Sequence, residues 1–382
     1  MLGALVTNGL ARRGHDVVVY ERRPGLFDGA SAAGEGKIHL GHVYALGGMS
    51  TANVMLRAAL GFDRAVDGLI GRPLDWDRLR GGRFRYVVAP ESLVTPDDLV
   101  AHGERLEELR REVVHEDPSS TYLGRPLDDC RLRPVDGMPR WFDLDERCVD
   151  VQALRRVLVD ALDSAPTVTV HRGVGVVGVE QVTTGWRLEL LDASGTPTAH
   201  EHPIVVNCSW EDSARLDRAA GIPRSEPPNL RLRTFVHGHV DAAPMAVTVV
   251  HGPFGDVVVH RDGRLYASWY PTGLLGFANA ESAPPEWCSA LDDPRRCAEQ
   301  IEATLENLRR HVPGLGPVLD ATVSARVVVA RGRTDIDDLD SELHVRDESG
   351  LEANDGWISA RSTKLTTAPQ SAAAVVARIE QW

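Results

Sequence analysis

The chain has 382 residues, of which 43% are hydrophobic and 25% charged, and a formal net charge of −13. That composition suits two domains with proper cores and excludes a disordered or fibrous chain. Basic residues are scattered among a larger number of acids, which argues against nucleic acid and anionic membranes as partners.

No apolar run approaches the roughly 18 residues of a membrane span. The N-terminus has neither the charge order nor the cleavage site of a signal peptide. Five cysteines (Cys130, Cys148, Cys208, Cys288, Cys297) lack CxxC or metal spacing and read as reduced thiols, which predicts a cytoplasmic protein with no metal.

The segment MLGALVTNGLARRGHDVVVYE predicts a helix, a turn at Gly14, a strand over residues 16–20 and a terminal acid, Glu21. This is the second half of a dinucleotide-binding βαβ unit. Gly3 stands where the third glycine of G-x-G-x-x-G belongs. The first strand and two glycines are therefore expected upstream of Met1, and the native start with them. Glu21 favours an adenosine ribose with both hydroxyls free. A long Gly/Ala/Ser loop follows, RRPGLFDGASAAGEGKIHLGHVYALGG, of a length usually found at functional sites.

Residues 50–70 carry apolar positions at helical spacing. RFRYVVAP reads as a strand. TPDDLVAHGERLEELRREV reads as a helix with a Thr95 cap, Pro96 in its first turn and early acids. A helix then starts at Asp150, followed by a strand at 167–171, the runs GVGVVGVE and WRLELLDASG, and a buried strand in PIVVNCSW. Residues 228–275 hold several strands that read as one antiparallel sheet, and DDPRRCAEQIEATLENLRRHV reads as a long polar helix. The tail ends in KLTTAPQSAAAVVARIEQW. Thr367 is placed to cap its helix and Pro369 to fill the first turn.

Five pieces in this order, ARRGHDVVVYE, GASAAGEGKIHLGHVYA, VDVQALRRVL with GVGVVGVE, VVNCSW and KLTTAP, resemble FAD-dependent oxidoreductases of the D-amino acid oxidase and glycine oxidase superfamily. The KLTT ending is also similar to that of glycerol-3-phosphate dehydrogenases, a branch of the same superfamily. The resemblance implies an α/β protein: a Rossmann-like FAD-binding domain, truncated at its N-terminus, built from residues 1–65, 147–222 and 325–382. A second, antiparallel-sheet substrate domain would come from 66–146 and 223–324.

It further implies that FAD lies extended across the first domain. Glu21 and Arg22 would flank the ribose and Gly3 the pyrophosphate. Val176 would meet the adenine through its backbone, with Asn207 and Cys208 on the pyrophosphate side. Ser31, Gly36, Lys37 and His39 would run beneath the flavin, Lys37 tuning the ring and His39 contacting it or acting as a base. Lys364, Leu365, Thr366 and Thr367 would lead into a helix whose N–H groups face the ring. Where most oxidases of this group carry a glycine pair before this point, this chain has Arg361, Ser362 and Thr363.

Tyr266 and Tyr270 would wall the substrate pocket from one sheet face, with Trp269 in the core beneath. Arg231, Arg233 or Arg331 would hold an anionic group. The implied reaction is hydride transfer from a small substrate, an amine or amino acid, to the flavin. Oxidation of an alcohol or polyol, or a homologue without catalytic activity, are the alternatives. An aromatic hydroxylase is disfavoured because the tail lacks a GD dipeptide followed by a small residue and His.

Overall fold

The computed structural model describes the chain except residues 47, 223–227, 251, 253–254, 331, 333, 335–340, 342–344, 347–348 and 363. Its first helix, Leu2–Ala11, buries Leu5, Val6 and Leu10 against the last helix, Ala368–Ile379, and against Phe62–Ile70. Gly9 sits where the three meet. A Cβ there would lie 2.7 Å from Leu69 and 2.8 Å from Val376, so any larger residue would force the helices apart. The expected strand follows, as Val17–Glu21, in parallel pairing with Val168–Arg172.

Helix Val151–Asp163 connects into that pairing. Asp150 caps it, its carboxylate accepting the Ala153 N–H at 3.0 Å. A three-stranded antiparallel meander comes next, Val174–Val182, Gly185–Asp192 and Pro197–His202. The chain returns as Val205–Asn207, parallel to Trp357–Arg361, which also pairs with Gly350–Asn354. Residues 17–20 and 205–207 line a common cavity.

The strands of residues 228–275 join a larger sheet of ten strands. Its pairings are antiparallel with one exception: Met245–Val250 runs parallel to Arg80–Val88. The expectation of a purely antiparallel sheet is corrected there. The reason is topological, because Arg80–Val88 comes from a distant part of the chain and offers an edge in that direction. Two further departures bear on the site. Residues 50–70 form two helices, Gly48–Ala59 and Phe62–Ile70, broken at Gly61. In the glycine-rich loop, Lys37–Ile38 pairs with strand Met138–Val149, Lys37 opposite Cys148, so the loop is stitched to the large sheet. No described helix is long and apolar enough to cross a membrane.

Candidate active site

A cavity of about 1060 Å³ runs from the end of strand Val17–Glu21, past the start of helix Leu2–Ala11, to the underside of the large sheet. At one end Glu21 lines it. One oxygen, Oε1, accepts the Arg23 N–H at 2.9 Å, while Oε2 has no hydrogen bond among the described residues. Arg22 also lines it, paired with Glu211 and Asp212 on the short helix Trp210–Asp212. Val176 lines the same end, and its carbonyl accepts from Arg215 at 3.0 Å.

In the middle, Gly3 packs on Cys208, 3.3 Å from a hypothetical Cβ to that residue's Cβ. The Cys208 thiol is pushed up to about 12 by burial and stays protonated. Asn207 is committed to structure. Its amide donates to Asp217 at 2.7 Å and to the Ser213 carbonyl at 3.0 Å. Ser31 lies opposite, accepting a 3.2 Å bond from the Met1 amino group. The first helix start and the one-turn helix Ala30–Ala33 thereby meet.

At the far end the loop passes under the sheet. Gly36 adopts φ +72°, and a Cβ would fall 2.3 Å from the Val149 carbonyl. That glycine is required by the neighbouring strand rather than by a ligand. Lys37 is buried with its ammonium fully engaged. It donates to Asp256 Oδ1 at 2.7 Å and to Thr248 Oγ1, and it lies 4.3 Å above the Phe84 ring. Burial opposes its charge, but Asp256, Glu146 and Glu35 outweigh that and hold it above the usual lysine range. It is therefore not the free cation expected beneath a flavin.

His39 is buried and neutral. Burial, then Lys364, Lys37 and Arg346, hold its imidazole well below the usual range. Its backbone N–H donates to Thr366 Oγ1 at 2.8 Å, which ties the loop to the tail. Its Nδ1 and the neighbouring Tyr44 hydroxyl, both buried, have no partner among the described residues. Beneath the loop, fully buried Glu146 accepts the Leu40 N–H at 2.7 Å and the Tyr86 hydroxyl.

The tail contributes Lys364, Leu365 and Ala368 to the cavity. Burial, reinforced by Arg346 and Arg233, brings Lys364 down to about 8 despite Glu35. Thr367 occupies the cap position of helix Ala368–Ile379, but its hydroxyl donates to the Lys364 carbonyl at 3.2 Å and meets Ser362 at 3.0 Å. The expected side-chain cap is not made; the turn Leu365–Thr367 instead takes up the Thr367 and Ala368 N–H groups on the Lys364 and Leu365 carbonyls, and Pro369 has none to offer.

From the sheet, Tyr266 lines the cavity between Phe235 and His237, fully buried. Tyr270 does not line it. The strand Arg264–Trp269 ends before it, and Tyr270 opens the short helix Tyr270–Gly273, so alternation no longer applies. Its hydroxyl accepts from Arg231, which also donates to Asn229 at 3.0 Å. Arg231 thereby serves the sheet interior. Trp269 belongs to the core and stacks on His311. Arg233 lines the cavity, its guanidinium 4.7 Å from the Tyr270 ring, with a buried Nε lacking a partner among the described residues. Arg331 lies outside the described residues.

Among the cavity residues that the sequence reading did not single out are Arg346, Glu35, Thr248 and Asp256. Arg346, lowered to about 10 by burial, adds a third cation beside Arg233 and Lys364. No spacing signal was available for Asp256, since its partner Lys37 lies 219 residues away.

These features fit an extended flavin dinucleotide. A carboxylate with a free oxygen closes one end. Two helix starts, of Leu2–Ala11 and Ala368–Ile379, open on the middle and far portions. Orphaned buried polar atoms, His39 Nδ1, Tyr44 Oη and Arg233 Nε, surround the far end. Buried polar groups without partners are costly unless a ligand or water supplies them.

The family model described as FAD dependent oxidoreductase, DAO, matches residues 1–378. No curated protein sequence matches the chain. The fold is similar to glycine oxidase from Geobacillus kaustophilus, with a TM-score of 0.66, 15% identity, and coverage of 100% of this chain and 92% of that one. It is similar to L-amino acid deaminase from Proteus myxofaciens, in complex with anthranilate, with a TM-score of 0.62, 13% identity, and coverage of 99% and 88%. It is also similar to the glycerol-3-phosphate dehydrogenase from Bacillus halodurans complexed with FAD, with a TM-score of 0.52, 14% identity, and coverage of 99% and 62%. The chain belongs to the DAO family of FAD-dependent oxidoreductases, and FAD is its cofactor.

Proposed function

We propose that this enzyme oxidises a small amine or amino acid that carries an anionic group. The observation that carries this reading is that Arg233, Arg346 and Lys364 line the same cavity, the two arginines near enough to act on Lys364 electrostatically. Three cations in a largely desolvated space stabilise a carboxylate far more than they would in water. Lys364 makes no ion pair among the described residues, which leaves it available to a substrate anion. When bound, FAD supplies the ring that accepts a hydride from the substrate carbon.

The chain's own residues then act by position. Tyr266 walls the site and stays protonated, because burial, with Glu35 and Asp256 nearby, raises its hydroxyl well above the usual range. His39, held neutral, presents an imidazole without adding to the positive charge. Glu21 takes the ribose, and the uncapped start of helix Leu2–Ala11 faces the phosphates. Residues 1–65, 147–222 and 325–382 form the FAD-binding part, and 66–146 with 223–324 the substrate part. Strand Leu319–Ala330 spans the boundary between 324 and 325, pairing along Asn229–His239.

Oxidation of a polyol phosphate is the second reading, because the same cations suit a phosphate. An anaerobic screen of amines, amino acids, hydroxy acids and polyol phosphates for bleaching of the flavin absorbance separates the two. Bleaching by an amine or amino acid is expected. Bleaching by hydroxy acids or polyol phosphates alone overturns the proposal.

A further inference from the structure

The Lys37 cluster is built to display a carboxylate, not a cation. Lys37 has three N–H donors. One goes to Asp256, one to Thr248, and the ammonium sits over the Phe84 ring, with Tyr86 at 5.4 Å. Thr248 in turn donates its hydroxyl proton to Asp256 Oδ1. Lys37 and Thr248 therefore both donate to the same oxygen of Asp256. The other, Oδ2, has no hydrogen bond among the described residues. The Asp256 side chain keeps 19% exposure and lines the cavity, whereas that of Lys37 keeps 1%. A carboxylate has about four acceptor positions, so this one retains capacity for donors arriving from the cavity.

The same cavity holds Arg233, Arg346 and Lys364, and Lys364 is near enough to act on Asp256 electrostatically. A ligand bearing both an anion and an N–H group finds a complementary partner for each. Burying Asp256 without Lys37 would be costly, because an unpaired carboxylate away from water is strongly disfavoured. Lys37 makes that position possible, and its own ammonium is hidden from the ligand in doing so.

We propose that Asp256, held by Lys37 and Thr248, is a specificity-determining residue that receives the amino group of the substrate. The assignment rests on the amine or amino acid reading above and adds the residue that selects for nitrogen. Because Asp256 stays ionised, with Lys37 and Thr248 outweighing its burial, it binds and orients the N–H group rather than removing its proton.

The test uses FAD-loaded protein and reads ligand binding from perturbation of the flavin absorbance, without turnover. The probes are matched pairs: glycine with acetate, alanine with propionate, phenylalanine with 3-phenylpropionate. Asp256→Asn should weaken amino acid binding about 10- to 100-fold, the scale of a charge-assisted hydrogen bond in a desolvated site, with the des-amino partner nearly unaffected. Since that variant strands Lys37, Lys37→Gln/Asp256→Asn removes both charges and should show the same selective loss. If either folded variant keeps the wild-type ratio within each pair, the role of Asp256 is overturned while the amino acid reading stands. If the wild-type protein binds the carboxylates but no amino acid, that reading fails, and this assignment with it.

Discussion

His102 offers a direct measure of how the fold supports the site loop. It lies on helix Pro96–Glu116, buried, and its Nε2 bonds the Gly41 carbonyl at 3.1 Å, holding the turn that follows His39. Its Nδ1 has no partner among the described residues. Burial, helped by His42 and Arg105 and opposed by the Gly41 bond, lowers it from 6.5 to about 4.

For a histidine whose folded value is depressed, the unfolded chain binds the proton first. Its stabilising effect is whole above about pH 6.5 and declines as pH falls toward about 4. Between about pH 7 and about pH 5 the loss spans about 1.5 units at about 1.4 kcal/mol each, or about 2 kcal/mol. His102→Gln keeps a donor for Gly41 without the titration. Urea unfolding followed by tryptophan fluorescence, at both pH values, compares the two proteins. The wild type should lose about 2 kcal/mol more than His102→Gln over that interval. His39 and His260, also depressed, contribute equally to both and cancel. Equal losses in the two proteins would refute the reasoning.

Glu21→Ala should weaken FAD binding by about 1–3 kcal/mol, read by fluorescence titration of the apoprotein with FAD. Unchanged affinity would mean that the ribose is held elsewhere. Gly36→Ala places a Cβ 2.3 Å from the Val149 carbonyl at φ +72°. It should cost about 1–3 kcal/mol for the backbone alone, with the clash in addition, visible as a lowered urea midpoint; a stability equal to wild type would show that the loop relaxes freely.

Much of the first part of the fold was legible because it is local. The helix and strand of residues 2–21, the Thr95 and Asp150 helix starts and the meander are written in apolar period and cap residues. Glu21 was found for the same reason, since a strand end fixes where its last side chain goes. The family was legible through the order of several short motifs, none specific alone. The substrate end was not. Lys37 marked the right loop, but its partner could not be seen, because Asp256 and Thr248 reach it only once two distant strands pair. Tyr270 looked equivalent to Tyr266 until the strand stopped at Trp269.

A nucleotide site was readable from the chain alone, because nucleotide binding uses chain-local devices, a helix start, a glycine and an acid at a strand end, and the resemblance carried by the ordered motifs named FAD. Which charges face the cavity was settled by the folded chain, because a buried charge is set by its partners: Lys37 is spent on Asp256 and Arg231 on Asn229 and Tyr270, while Arg233, Arg346 and Lys364 come from separate segments to line one cavity.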